Sequence, residues 1–319
     1  MEWNLGDRKS TGCQTIPMNG KGGEGMRSVR LTIDGKDVSA PEGTTILQAA
    51  KHAGIRIPTL CFHERLKPIG SCGLCIVEIG GHEAPVTSCE TEIEDGMVVT
   101  TQSDRLHTLR RESLEAMLVN HPLDCPICDK AGECLLQDLV VEHGITGVEP
   151  PSPTSKFTEG YTRAFIKAWP QRCVLCLRCV HACTELQGIG ALSVLNGDNG
   201  PHIAYDEKKC VQCGECIQLC PTGTLVEKRT KERWRTWQVE EKVRTTCTYC
   251  GVGCQQWLHV REGRVVKVSG VEDAVPNLGR LCVKGRYGFD FIDHPERLTV
   301  PLIRVNGSFR EASWDEALR

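Results

Sequence analysis

One spacing constrains this chain more than any other: Cys-x-x-Cys-x-x-Cys-x-x-x-Cys occurs at residues 173–183 and again at 210–220. Cys173, Cys176, Cys179 and Cys183 run into Thr184, and Cys210, Cys213, Cys216 and Cys220 run into Pro221. Eight thiols in so short a segment must fold around whatever they hold. The chain carries 20 Cys in 319 residues but only 5% aromatic residues. A large aromatic core is therefore not expected, and the cysteines must supply part of the cohesion. Disulfides, zinc and iron–sulfur clusters compete for them. The N-terminus MEWNLGDRKSTGCQTIPMNG has no apolar stretch of a secretory signal, which argues against an oxidising compartment and so against disulfides. Eight thiolates in this order fit zinc poorly, whereas two [4Fe–4S] clusters account for all of them.

The doubled run has the spacing of bacterial two-cluster ferredoxins, in which each run gives three ligands to one cluster and its fourth Cys to the other. The expected sets are Cys173, Cys176, Cys179 with Cys220, and Cys210, Cys213, Cys216 with Cys183. Three further groups flank them. Cys61, Cys72, Cys75 and Cys89 form a wide gap, a close pair and a distant fourth position. That pattern suits a [2Fe–2S] cluster gripped by the Gly-rich loop PIGSCGLC, with the sheet supplying the last ligand; a four-thiolate zinc site is the alternative. His121, Cys125, Cys128 and Cys134 offer three thiolates and an imidazole to another [4Fe–4S] cluster. Spacing alone leaves His121 open between a ligand and a surface histidine before Pro122. Cys247, Cys250 and Cys254 with the remote Cys282 again suit a cubane, held by a loop and a returning strand. Lys284 follows in Cys-x-Lys-Gly-Arg, and an exposed lysine is the plain alternative there. Cys13 is left without a role.

The organisation reads as α+β and multidomain. Residues 1–26 are polar and Gly-rich, a disordered tail or the product of a start codon placed too early, with Met26 preceding the first strand-like run. The string Gly20-x-Gly22-x-x-Gly25 lies there, but a polar tail precedes it and the strand VRLTI follows, so a nucleotide-binding reading lacks its strand–turn–helix context. Residues 27–104 combine a hairpin around Asp34-Gly35, a helix with Ile46, Leu47, Ala50 and Ala53 on one face and Gly54 as its stop, and two further strand-like runs. Residues 105–146 are helical on either side of a cysteine turn, and EPPSPT at 149–154 reads as a linker. The doubled run and a basic joining stretch, KRTKERWR, fill 147–238, with the basic stretch read as solvated linker. A small β-rich unit with a Glu262-Gly263 turn covers 239–285, and 286–319 begins another. Net charge is −3 and pI near 6.4, which leaves no footprint for nucleic acid. No apolar run approaches the ~20 residues of a membrane span. A cytoplasmic location is expected.

In this order the groups resemble the N-terminal iron–sulfur half of the catalytic (alpha) subunit of cytoplasmic NAD(P)-linked molybdenum or tungsten formate dehydrogenases, over roughly residues 28–319. TCTYCGVGC with LCVKGRYG is similar to the cluster-binding entry of molybdopterin-guanine-dinucleotide oxidoreductases. The first three units also look like the iron–sulfur arm of NAD-linked hydrogenases, and the first two like the large iron–sulfur subunit of respiratory NADH dehydrogenase. The resemblance implies a β-grasp [2Fe–2S] ferredoxin domain, a helical domain whose cubane His121 ligates, a two-cluster bacterial ferredoxin domain, and a [4Fe–4S] domain opening a truncated molybdopterin oxidoreductase domain. It implies that Lys284 lies on the electron path to the pterin. Implied partners are flavin- and NAD(P)-binding iron–sulfur subunits, with a separate pterin-bearing or hydrogenase subunit in addition, and no nucleic acid or membrane. Pterin-binding and formate-oxidising residues of that family lie beyond SWDEALR. The expectation is thus an oxidoreductase component, one [2Fe–2S] and four [4Fe–4S] clusters, with no catalytic residue and no formate oxidation by this chain alone. The alternative expectation is the electron-transfer subunit of an NAD-linked or bifurcating hydrogenase, or of a respiratory NADH dehydrogenase-like complex. The doubled run is expected to weigh against the respiratory class.

Overall fold

Asp34 and Gly35 both take left-handed backbone angles, φ 49° and 76°, and this turn folds β1 (Ser28–Ile33) back on β2 (Lys36–Pro41). The computed structural model describes residues 27–148, 162–197, 200–228 and 234–319. The tail with Cys13 and the Gly20 to Gly25 string, the 149–154 break and part of the basic stretch lie outside the described residues. After β2, Thr45 and Gln48 form a reciprocal capping box that starts α1 (Ile46–His52), satisfying two otherwise orphaned backbone amides. Gly54, at φ 72°, turns the chain away. Strands β3 (Ile76–Ile79), β4 (Val86–Thr87) and β5 (Val98–Thr100) complete a mixed sheet of order β2-β1-β5-β3-β4, in which β5 pairs parallel to β1. Ile33, Ile46, Ala49, Ala50 and Val77 are fully buried between sheet and helix, with Cys75 and Cys89 in the same apolar cluster.

Ser103 caps α2 (Asp104–Leu118) by accepting from the Leu106 amide. Leu106, Leu114 and Leu118 are buried on this helix, and Arg110 is buried beside them. Its guanidinium donates to the carbonyls of Leu74, Ile76 and Thr101 at 2.7–3.0 Å, which ties the helix to the first sheet. A second apolar cluster joins Leu60, Cys61 and Leu74 to Leu114, Leu118 and, from α3 (Leu135–Glu142), Leu136 and Leu139. Packing is therefore continuous across residue 104.

The doubled run folds with internal symmetry. Strand β6 (Ile166–Ala168) pairs with β9 (Leu225–Glu227), β7 (Leu192–Gly197) with β8 (Gly200–Tyr205), and helices α4 (Arg178–His181) and α5 (Glu215–Leu219) follow the two loops. Beyond it lies a three-stranded antiparallel sheet of β10 (Glu241–Thr246), β11 (Gln255–Arg261) and β12 (Arg264–Gly270), turning at Glu262 and Gly263. Then come α6 (Val283–Tyr287), a hairpin of β13 (Leu302–Val305) and β14 (Ser308–Glu311), and α7 (Trp314–Ala317).

Two expectations need correction. The basic stretch is not solvated throughout: Trp234 is buried, with the Lys267 ammonium 4.8 Å above its ring, because an indole gains more from packing than from water. Cys282 sits at the N-terminal boundary of α6, not on a returning strand, since Gly285 lets that helix approach Cys247, whose Sγ would lie 3.3 Å from an added Cβ. Among the described residues, no helix is long and apolar enough to cross a membrane.

Candidate metal centres

The Cys61–Cys89 set is built into two adjoining apolar clusters, Cys75 and Cys89 in one and Cys61 and Cys72 in the other. Cys61, Cys72, Cys75 and Cys89 are each at most 5% exposed, and they approach as two pairs. Cys75 and Cys89 share a hydrogen bond at 3.4 Å, and Cys61 and Cys72 are likewise hydrogen-bonded. The shared proton separates the partners: the Cys61 bond lowers Cys72 to about 5, while its own thiol is pushed up by Cys72 and by burial. Cys75 is lowered by Cys89, and Cys89 is raised in return. Cys75 also feels Cys72, and Cys89 feels Cys61, so all four form one group. Two thiol pairs side by side suit two irons with two thiolates each.

Cys125, Cys128 and Cys134 gather between α2 and α3, with Cys128 electrostatically coupled to both others. Burial pushes Cys134 up to about 11. His121 faces Asp124 and Arg172; burial lowers its pKa, favouring the neutral ring, and its Nδ1 is buried without a hydrogen-bond partner. A buried imidazole nitrogen with nothing to bond has the chemistry of an available ligand. No interaction between His121 and the three thiols is among those described. Gly223 approaches so closely that a Cβ there would overlap Cys128 Sγ and lie 3.3 Å from Arg172 Cδ. The segment after Cys220 is thus packed against this site, and the Leu135 amide donates to Pro221 at 3.1 Å.

In the doubled run each loop uses the same device. Leu175 and Leu177 have φ 50° and 60°, and their counterparts Gln212 and Gly214 have 53° and 76°. Left-handed turns point amides inward: the Leu175 amide donates to Cys173 Sγ at 3.4 Å and the Gln212 amide to Cys210 Sγ at 3.3 Å. A π-helical turn at Ala182–Leu186 carries Cys183, whose Sγ accepts from the Ala191 amide at 3.2 Å. Cys173, Cys176 and Cys179 all couple to Cys220. Cys213 and Cys216 couple to Cys183, and Cys216 to Cys210. Burial pushes Cys173 up to about 11 and Cys176 to about 12. Thiols held so far from water need cationic compensation to ionise, which iron would provide.

The last set is shallower. Cys254 couples to Cys247, Cys250 and Cys282, but Cys250 and Cys282 are exposed. Lys284 is exposed on α6. Among the described residues no three His, Cys, Asp or Glu side chains converge tightly enough for a single metal ion.

Spacing missed the buried charges between these sets. Glu215 lies 2.8 Å from Arg65 and 2.9 Å from Arg286, and Arg286 Nε donates to the Cys213 carbonyl at 2.7 Å. Three separate units meet at this triad. Arg172 pairs with Asp124 through two nitrogens, beneath the ring of Trp169. The only available sequence signal was a charge inside or beside a cysteine run, as at Arg172, Arg178, Glu215 and Arg286.

Five cysteine-rich donor groups on one chain suit several iron–sulfur centres, and comparison with known proteins finds iron–sulfur domain families along the same segments. The family described as 2Fe-2S iron-sulfur cluster binding domain matches residues 26–104, and NADH-ubiquinone oxidoreductase-G iron-sulfur binding region matches 110–149. Two 4Fe-4S dicluster domain families match 172–224 and 202–257, and Molybdopterin oxidoreductase Fe4S4 domain matches 240–294. NADPH-Fe(3+) oxidoreductase subunit alpha of Geobacter sulfurreducens is 41% identical over 91% of this chain and 34% of its own length. A G-type subunit of the NADH-quinone oxidoreductase of Rhizobium meliloti is 38% identical over 91% of this chain and 34% of its own length. That alignment extends beyond the first two units. A chain in a crystal structure of NAD+-reducing [NiFe]-hydrogenase superposes with a TM-score of 0.58 at 30% identity, over 63% of this chain and 88% of that one. The chain spans about a third of the length of the curated relatives it matches. Along its length the chain is thus similar to the iron–sulfur regions of a G-type NADH-quinone oxidoreductase subunit, with a molybdopterin oxidoreductase Fe4S4 match at 240–294.

Proposed function

We propose that this chain is an electron relay of one [2Fe–2S] and four [4Fe–4S] clusters in an NAD(P)-linked oxidoreductase complex. Bound in these sets, the clusters would each exchange single electrons. The polypeptide's part is to fix their positions, exclude water and set the surrounding charge. Cys61, Cys72, Cys75 and Cys89 would hold the two-iron cluster, and the other four sets the cubanes, with His121 completing the group at Cys125, Cys128 and Cys134. The observation that carries the reading is the contiguity of the sets: the Gly223 backbone presses on Cys128 two residues after Pro221, and Arg286 reaches from the last set to the Cys213 carbonyl.

At the Cys247–Cys282 end, the match to a molybdopterin oxidoreductase domain supports a pterin-bearing neighbour of the formate dehydrogenase kind, with Lys284 on the path to it. A flavin- and NAD(P)-binding subunit would exchange electrons at the other end. The superposition on a hydrogenase chain favours a second reading, the iron–sulfur arm of an NAD-linked hydrogenase.

Iron and sulfide analysis with electron paramagnetic resonance of the anaerobic chain tests the relay. Five reducible centres, one with a two-iron signature, are expected; zinc in their place, or only one or two centres, would reject it. The native complex separates the partner readings, since molybdenum or tungsten supports the first and nickel without either supports the second.

A further inference from the structure

The Cys61–Cys89 set and the Cys173–Cys220 set belong to different units, yet one buried side chain lies against both. Arg178 sits between Cys176 and Cys179 at the start of α4 and is 8% exposed. Its backbone amide bonds the Cys176 sulfur. Its guanidinium crosses to the first unit and donates through Nη2 to the carbonyl of Phe62, the residue after Cys61. Cys176 itself lies in one apolar cluster with Cys61 and Cys72. The thiols that act on the guanidinium are Cys176, Cys61, Cys220 and Cys72, two from each set. Nε is buried without a hydrogen-bond partner, and no carboxylate is paired with Arg178 among the described ion pairs. The guanidinium keeps its positive charge even when buried.

We propose that Arg178 is a shared positioning residue whose single positive charge sets the reduction potentials of both neighbouring centres together. This rests on the relay reading above. One electron entering either centre from a low-potential donor, dithionite in the test, makes that centre one unit more negative. No bond breaks and no proton need move. A fixed cation beside it favours the reduced state, and burial limits screening of the effect by solvent. Removing the charge must therefore lower both potentials, leaving centres elsewhere unmoved.

The test is a redox titration of the full anaerobic chain, followed by paramagnetic resonance, with iron counted on every variant. In Arg178→Gln, the reduced-to-oxidised ratio at fixed potential falls about tenfold at the two-iron centre and at one cubane, a shift of ~59 mV for one electron. Arg178→Lys keeps the charge and brings both ratios back to within about threefold of the unmodified chain. A shift at one centre only, an equal shift at all five, or an Arg178→Lys variant as displaced as Arg178→Gln would overturn the inference while leaving the relay standing. The lysine arm decides even where the glutamine variant does not assemble. Absence of a two-iron signal from the unmodified chain would instead remove the relay, and this inference with it.

Discussion

The first and last thiol sets hold four cysteines each and do so in opposite ways. Cys75 and Cys89 are part of an apolar core that also contains Val77, Ile79 and Ile93, and Cys61 and Cys72 are part of the adjoining one with Leu60, Leu74 and Leu114. Cys247, Cys250, Cys254 and Cys282 lie on a loop and a helix start, two of them exposed, beside the small apolar cluster of Val268, Leu281 and Phe289. In the first unit the site and the core are the same object. In the last, the site is an appendage, and its unit meets the rest through charges and through Tyr287 stacked on Phe165 at 4.5 Å rather than through a shared apolar cluster. Arg286 on Glu215 at 2.9 Å, Arg65 on Glu272 at 3.3 Å and Lys267 on Glu133 at 3.2 Å make those charged joints. Burial opposes the charge on Glu133, but Lys130 and Lys267 outweigh it and hold the carboxyl below its usual range.

Four measurements would break or sharpen this contrast. The largest effect is expected from paired ligand removals. Cys75→Ala should abolish the two-iron signal and lower the unfolding temperature on the order of 20 °C, roughly 3–4 kcal/mol, because metal binding there is folding energy. Cys250→Ala should abolish only its own signal, with the unfolding temperature nearly unchanged; equal thermal losses would end the distinction. Arg286→Met comes next. It strips Glu215, which is fully buried, of one of two partners and should cost ~3 kcal/mol in denaturant unfolding. A double-mutant cycle with Glu215→Gln should recover most of that cost. Gly214→Ala places a side chain at φ 76°, where a Cβ would overlap Tyr287 Oη, and should cost ~2 kcal/mol with partial loss of the adjacent centre. The smallest effect is kinetic: under air with a chelator, the exposed last centre should lose its signal about tenfold faster than the two-iron centre, as exposure governs attack on clusters.

Local features were legible where local chemistry decides them. Asp34-Gly35 and Glu262-Gly263 announce turns because Gly tolerates left-handed angles, and both are turns here. The periodicity of Leu106, Leu114 and Leu118 marked α2, but nothing in it distinguished Arg110 as buried, since the carbonyls that receive it come from residues 74, 76 and 101. Strand β10 was not legible: EKVRTT is mostly exposed and lacks alternation, and it is a strand because β11 pairs with it. Trp234 sat in a basic stretch whose charge masked its destination beside Lys267.

The sequence by itself determined which thiols could act together, because a cluster's ligand spacing is a covalent quantity: loop lengths of two or three residues survive any packing. The crossing of the two runs was expected only from their likeness to the two-cluster ferredoxin spacing, and in the fold Cys220 couples to Cys173, Cys176 and Cys179 while Cys183 couples to Cys213 and Cys216. Tertiary structure alone decided how one set meets the next. Arg178 beside two sets, Gly223 against Cys128 and the Arg65, Glu215, Arg286 triad each join residues distant along the chain. Those contacts depend on burial and on charges compensated across unit boundaries, and neither is written into the spacing of any one segment.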